Sequence, residues 1–297
     1  MSSESWSVEG RVCVVTGGNS GIGLTTAVGL AKQGAHVAIV SRDEERGRAA
    51  QAEVREAAEV ERVDLVVGDQ GSVASTRALA AALLERYPRL HVLVNNAGLW
   101  MTERRLNPDG LETTFAVNHL GPFVLTTLLL DRLIESAPAR IVNVSSRGHR
   151  QAKLDFDDLQ AERGYGKIRA YTNSKLCNVL FTRELARRLD GTGVTANALH
   201  PGVVRTNLGS NSSGVIRWVF DAVGPLLFIS PEKGARTSIH VATSPELEGV
   251  TGRYFRACKE VAPSKAAQND DDARRLWEIS EALAATPAAR EATKPTS

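Results

Sequence analysis

The sequence predicts a single α/β domain: a doubly wound, mostly parallel sheet flanked by helices. Three observations lead there. Short apolar runs rich in β-branched residues recur along the chain, the first at residues 12–15 and a late one at 194–199. Stretches of helical apolar spacing separate them, with Gly or Pro at several junctions. No break in composition marks a second domain, so one domain is expected over residues 1–297, with its core at 8–257.

Each element can be justified in turn. The run at 12–15 enters a Gly-rich turn and then a periodic segment, 22–33, closed by Gly34. A strand at 36–40, a charged helix from Asp43 to about residue 58 and a strand at 65–67 follow. The helix at 73–87 leads through Pro88 into a strand at 92–94. A helix at 111–135, a strand at 140–144, a long helix at 168–189 and the strand at 194–199 complete the alternation. Strands that are apolar throughout are buried on both faces, as in a parallel sheet covered by helical crossovers. Two connections are long. Residues 147–164 are polar and charged, whereas 205–230 carry Trp218, Val219, Phe220, Leu226, Leu227 and Phe228 after a Ser/Asn/Gly hinge at 209–214. Those apolar residues need something to cover, which makes 205–230 a substrate lid. Residues 282–297 are rich in Ala, Thr and Pro and read as a flexible tail.

Composition narrows the partners. Thirty-six basic residues against 34 acidic leave a net charge of +2, which points to neither nucleic acid nor an anionic membrane surface. Cys13, Cys177 and Cys258 are odd in number and far apart, forming neither a zinc pattern nor a disulfide framework. The amino-terminal stretch has no apolar core after a basic start, and no run reaches about 18 apolar residues. The expectation is a soluble, cytoplasmic protein without a membrane anchor and without a metal.

The chemistry begins at Tyr171 and Lys175, four residues apart on the long helix and therefore on one face. A free phenol, with a pKa of about 10, is a poor acid or base at neutral pH unless a nearby cation stabilises its anion. Lys175 can be that cation. Residues 16–23 read Thr16-Gly17-Gly18-Asn19-Ser20-Gly21-Ile22-Gly23 between a strand and a helix. Glycines there let the backbone approach a pyrophosphate, whose charge the helix amino terminus favours. Arg42 follows the second strand, with no acid before Asp43. An acid at that point holds a ribose 2′-hydroxyl, whereas Arg accepts a 2′-phosphate, so NADP(H) is favoured over NAD(H). Asp69, after the third strand, is placed for an adenine amine. Asn95, Asn96, Ala97 and Gly98, after the fourth, let the backbone pass close to the adenosine ribose.

Together these residues resemble the short-chain dehydrogenase/reductase family over roughly residues 10–257. The match comprises Gly17, Gly21 and Gly23, Asn95 to Gly98, Asn118, Ser145-Ser146, Tyr171 through Lys175, and His200-Pro201-Gly202. Residues 117–123, 141–146, 178–185 and 200–204 look most like the retinol-dehydrogenase-type branch. That branch commonly uses NADP(H) on lipophilic aldehydes, ketones and alcohols. The resemblance implies a Rossmann-type fold, Tyr171 as the acid in reduction and base in oxidation, and Lys175 lowering the Tyr171 pKa and holding the nicotinamide ribose. It assigns Ser146 to the substrate oxygen; strand neighbours point to opposite faces, so Ser145 cannot share the task. Pro201, Gly202 and Val204 would meet the nicotinamide carboxamide, with Thr206 nearby. Gln70 stands where the family more often has an apolar residue beside the adenine.

Asn118 carries a physical argument of its own. The residue four positions on is Pro122, which has no N–H, so the helix is expected to kink and leave the Asn118 carbonyl free for a water that relays protons from Lys175. Leu99, Trp100 and Met101, with Trp218 and Phe220, are the expected pocket walls. His149 reads as solvated in a charged loop and His200 as packing at a strand end. The helices at 123–134 and 176–189 pair into homodimers in many relatives, with 147–164 a segment that can cover that face. Two alternatives stay open: a dinucleotide-binding regulator or scaffold without turnover, and the same chemistry on a steroid, polyol or polyketide.

Overall fold

The computed structural model describes residues 5–202 and 230–285. Strands β1 (Val12–Thr16), β2 (His36–Ser41), β3 (Val63–Val67), β4 (Val92–Asn95), β5 (Ala139–Val144), β6 (Val194–His200), β7 (Tyr254–Arg256) and β8 (Lys259–Glu260) form one sheet. Their order is β3-β2-β1-β4-β5-β6-β7-β8. Every pairing is parallel except β7 with β8. The chain runs outward from β1 to β3, then returns past β1 to β4 and onward. That reversal opens a crevice beyond the carboxyl ends of β1 and β4, where such folds bind ligands.

Helices α1 (Gly21–Ala31), α2 (Glu44–Ala58), α3 (Val73–Arg86), α4 (Thr113–Phe115), α5 (Gly121–Glu135) and α6 (Lys167–Arg188) are joined by α7 (Pro231–Thr243) and α8 (Asp270–Ala284). Local signals set their ends. The Asp43 carboxylate accepts from the Arg46 N–H at 3.0 Å to start α2. Ser72 and Ser75 form a reciprocal cap on α3. Asn269 caps α8 ahead of three consecutive aspartates, which favour the positive end of the helix dipole.

The two faces of the sheet hold separate cores. Helices α1, α2 and α7 pack with Val15, Val37, Ile39 and Val94 on one side, where Trp6 also docks. The Trp6 indole N–H donates to the Ala242 carbonyl, and its ring lies between the guanidiniums of Arg11 and Arg140, 4.5 and 4.2 Å from its centroid. On the other side α3, α5, α6 and α8 bury Leu93, Leu125, Leu129, Ile141 and Leu180. The stretch Thr113–Glu135 is long and apolar enough to cross a membrane, yet 72% of its apolar window is buried inside the fold. It is a core helix.

Two expectations are revised. The core does not stop at residue 257: Trp277 of α8, 5% exposed, stands edge-on to Phe123 at 4.9 Å and stacks on Phe181 at 5.8 Å. Residues 282–284 of the supposed tail belong to that helix. Helix α8 packs along α6 and reaches Phe123 of α5, with Arg183 gripping Asp270 through two hydrogen bonds of 2.6 and 3.1 Å. The loop after β5 lies beside it, where Arg275 sits 4.7 Å over the Phe156 ring. The second revision concerns Pro122. The helix does not simply kink: it widens into one π-helical turn, Ala116–Leu120, in which the Gly121 N–H reaches back five residues to the Ala116 carbonyl. The extra residue absorbs the donor that proline lacks.

Truncating Trp277 empties the junction of α5, α6 and α8. Trp277→Ala is expected to lower stability by about 3–5 kcal/mol, read as a reduced urea midpoint with secondary structure retained in native buffer.

Candidate active site

The glycine turn connects β1 to α1. Gly17 and Gly21 have φ of +63° and +53°, in the left-handed region. A Cβ on Gly23 would fall 2.2 Å from the Gly17 carbonyl oxygen, so only glycine lets the helix approach the turn. Ser20 precedes α1 in extended conformation without capping it, and no acid stands in the first turn. The leading N–H groups of α1 therefore face an approachable surface formed by Asn19, Ser20, Gly21 and Ile22, which suits an anion. The turn is fixed from below. The Asn96 amide donates to the carbonyls of Thr16 (2.9 Å) and Gly17 (3.3 Å), and the Thr16 hydroxyl accepts from the N–H groups of Asn96 (3.1 Å) and Ala97 (3.0 Å). The Asn96 side chain thus holds the cradle.

Arg42, at the carboxyl end of β2, is exposed. Among the described residues neither Asp43 nor Glu45 pairs with it; Asp43 is engaged in capping α2. Asp69 is also exposed, one carboxylate oxygen accepting from the Gly71 N–H at 3.0 Å. Gln70 is not beside this surface by its side chain. It is 5% exposed, lies against Gly121 and lines the narrow seam between α3 and α5, and its amide oxygen and nitrogen have no partner among the described residues.

Farther along the edge, β5 and α6 place Ser146, Tyr171 and Lys175 together. The Ser146 hydroxyl accepts from the Gly148 N–H at 3.1 Å and lies near the Tyr171 phenol. Ser145 turns inward instead, donating to the Lys175 carbonyl at 2.7 Å. The opposite orientation of the two serines follows from the strand pleat. Burial raises the Tyr171 pKa, and the Ser146 hydroxyl opposes that rise. The lowering expected from Lys175 is not among the causes. Burial pulls Lys175 itself from 10.5 down to about 8, and its ammonium, 5.8 Å from the Tyr171 ring centroid, donates to the Val144 carbonyl at 3.2 Å.

Asn118, fully buried in the π-helical turn, clamps the segment that passes over the site. Its amide donates to the Leu99 carbonyl (2.9 Å) and the Ser174 hydroxyl (3.0 Å), and its oxygen accepts from the Leu99 N–H (2.7 Å). Gly98 gives Lys175 its room: a Cβ there would lie 3.2 Å from the ammonium and 3.3 Å from the Asn118 oxygen. Trp100, 36% exposed, stacks on Tyr171 with centroids 5.8 Å apart and planes 24° from parallel. Met101 is held by its carbonyl, which accepts from the Tyr165 hydroxyl at 3.0 Å. Pro201 and Gly202 emerge at the end of β6 on the same edge. Val204, Thr206, Trp218, Phe220 and the 205–230 lid, save Ser230, lie outside the described residues.

The structure corrects one histidine. His149 is not solvated but fully buried, bonded to the Ser146 carbonyl and to Tyr254. His200 packs at its strand end, where it meets the same Tyr254 hydroxyl at 2.9 Å. A polar ladder also escaped the sequence reading. Asn95 donates to Asn143 and Thr126, and Asn143 donates to Thr182, at 2.8 to 2.9 Å. The signal for it was an amide inside the otherwise apolar run at 141–144.

This geometry is matched among known proteins. The short chain dehydrogenase family model covers residues 11–214. The chain belongs to the short-chain dehydrogenase/reductase family. Within it the chain falls in the retinol dehydrogenase branch. It is 45% identical over 291 residues to human retinol dehydrogenase 14, covering 93% of this chain and 87% of that protein. Mouse retinol dehydrogenase 12 is 46% identical over 273 residues, with 92% and 86% covered. Among solved structures, an uncharacterised protein from Mycobacterium paratuberculosis superposes with a TM-score of 0.77 at 32% identity, covering 95% and 96% of the two chains. The Pseudomonas aeruginosa RhlG/NADP active-site complex gives 0.68 at 28% identity, with 84% and 95% covered. The fold of this short-chain dehydrogenase/reductase implies a nicotinamide dinucleotide as cofactor, and the glycine cradle, the uncapped α1 terminus and the approach to Lys175 fit one.

Lys175 supplies a stability test. Its folded pKa lies below its unfolded value, so between about 8 and 10.5 the unfolded chain binds the extra proton. This residue therefore makes stability rise with pH across that window. Lys175→Met is expected to gain roughly 2–3 kcal/mol at pH 7 and to flatten that rise, as measured by urea unfolding at a series of pH values.

Proposed function

We propose that the protein is an NADP(H)-dependent oxidoreductase that interconverts a lipophilic aldehyde or ketone and its alcohol. The observation that carries this reading is the approach of Ser146 to Tyr171 one helical turn from a buried lysine that, among the described residues, no carboxylate pairs. Arg42, exposed and without an ion-pair partner among the described residues, supports the choice of NADP(H): a guanidinium in that position receives a 2′-phosphate through charge-assisted hydrogen bonds. The cradle of Gly17, Asn19, Ser20, Gly21 and Ile22 receives the pyrophosphate. Asp69 and the backbone from Asn96 to Gly98 line the adenosine end, and Pro201 and Gly202 the nicotinamide end.

When bound, the cofactor supplies or accepts the hydride. The side chains handle the proton and the oxygen. In reduction, Ser146 donates a hydrogen bond to the carbonyl oxygen as negative charge grows there, and Tyr171 delivers the proton. In oxidation Tyr171 takes it back. Burial keeps the Tyr171 phenol protonated at neutral pH, so the proton that reduction needs is in place. Lys175, charged at pH 7, holds a ribose hydroxyl and brings positive charge to the phenol once the site is closed. The Asn118 carbonyl, in the π-helical turn, receives a water that connects Lys175 with solvent. Leu99, Trp100 and Met101 give the substrate an apolar wall, and the retinol dehydrogenase names of the relatives support a lipophilic substrate.

The test is NADPH oxidation with a panel of aliphatic aldehydes and ketones, alongside fluorescence titrations with NADPH and NADH. Arg42→Ala should weaken NADPH by about 10- to 100-fold, the value of a hydrogen bond to a charged group, and leave NADH unchanged. Ser146→Ala should lower kcat by about 10²- to 10³-fold. Equal NADH and NADPH affinity in the wild type would remove the cofactor assignment; no turnover of any carbonyl or alcohol would remove the enzymatic one.

A further inference from the structure

Behind Ser146 lies a buried polar cluster that the proposed chemistry does not use. The His149 Nδ1–H donates to the Ser146 carbonyl at 2.8 Å, and the His149 backbone N–H donates to the same oxygen at 3.1 Å. From the other side the Ser264 N–H donates to His149 Nε2 at 3.1 Å. Those two ring contacts are compatible only with a neutral imidazole carrying its proton on Nδ1. The Tyr254 hydroxyl lies 3.2 Å from His149 Nδ1 and 2.9 Å from His200 Nδ1, and it lies near the Ser145 hydroxyl. Ser145 in turn donates to the Lys175 carbonyl. One phenol on β7 thus bonds the support of Ser146 and stands beside that of Lys175.

We propose that His149 and Tyr254 are positioning residues: they fix the Ser146 peptide so that its hydroxyl stays on Tyr171, and they tie that placement to the Lys175 turn of α6. The chain has a mechanical need for this. Ser146 is the last extended residue before a tight turn, Arg147–Gln151, where a strand's ladder bonds no longer restrain it. His149 replaces those bonds with a side-chain clamp reaching back three residues. Tyr254 anchors the clamp to a strand that is 2% exposed or less at Tyr254 and Phe255. Burial holds both imidazoles below their ordinary range, with Arg150 adding to the effect on His149 and Arg256, Arg150 and Arg147 to that on His200. Both therefore remain neutral at pH 7, as the hydrogen-bond pattern requires. Sequence spacing hides the device, since His149, His200 and Tyr254 come from three distant segments.

This inference rests on the proposed oxidoreductase chemistry, and its test separates the two. The variants are Tyr254→Phe, His149→Leu and His149→Asn, the last keeping an N–H where Nδ1–H stood. With NADPH and decanal, His149→Leu and Tyr254→Phe should lose about 10- to 100-fold in kcat, the cost of a misplaced catalytic group, with NADPH affinity within about twofold of wild type. His149→Asn should recover most of that loss. Unchanged kcat in His149→Leu, or equal loss in His149→Asn and His149→Leu, would overturn the proposal. A crystal structure of His149→Leu decides independently of turnover. Release of the Gly148 N–H from the Ser146 hydroxyl supports positioning, and an unmoved Ser146 refutes it even if decanal proves not to be a substrate.

Discussion

The carboxyl edge of the sheet is arranged around one buried ammonium. Lys175 is 4% exposed, and among the described residues no carboxylate pairs with it. Desolvating a cation costs several kcal/mol, and a single carbonyl, that of Val144, answers it with a hydrogen bond. The fold must therefore hold the lysine in place against its own preference for water. Ser145 fastens the Lys175 carbonyl to β5, and the ladder of Asn95, Asn143 and Thr182 fastens β4, β5 and α6 to one another. Gly98 withholds the methyl group that would crowd the ammonium. An unbalanced charge in a rigid setting is a reservoir of affinity for the electron-rich hydroxyls of a bound ribose and for a phenolate.

The phosphate end is organised by the same logic with opposite sign. There the fold leaves N–H groups of α1 without a side-chain cap and, among the described residues, Arg42 without an ion-pair partner, a surface that suits an anion. Asn96 and Thr16 spend their hydrogen bonds on the turn itself, which keeps its glycines in conformations a flexible loop would abandon. Between the two ends the backbone from Ala97 to Leu99 runs along the site, pinned by Asn118 from the π-helical turn. Far from the chemistry, α8 sets Trp277 against Phe123 and Phe181, so the helices that carry Asn118 and Tyr171 share one clamp.

Much of this was legible in the sequence because it depends on local rules. Apolar runs fixed the first six strands to within a residue or two, and the Gly17 to Gly23 spacing located the turn. The choice of Ser146 over Ser145 as the residue facing Tyr171 agrees with the pleat. What was not legible depends on distant partners. His149 looked solvated because its sequence neighbours are Arg147, Gly148 and Arg150; only the fold brings Tyr254 and Ser264 over it. Pro122 announced a broken hydrogen bond but not whether the helix would bend or widen, and it widens. Trp277 lies beyond the last strand of the repeating pattern, and its burial is decided by Phe123 and Phe181, more than 90 residues earlier. Gln70 turned into the seam between α3 and α5, which no local pattern encodes.

The most direct measurement is the rate of NADPH oxidation by Tyr171→Phe with an aliphatic aldehyde, set beside its NADPH affinity. The phenol is the group on which Ser146, Lys175 and Trp100 converge. Removing one oxygen should leave NADPH binding as in the wild type and reduce turnover by about 10²- to 10⁴-fold, the contribution of a general acid. Turnover at the wild-type rate in Tyr171→Phe would contradict the assignment of the proton transfer and, with it, the placement of the chemistry at this edge of the sheet.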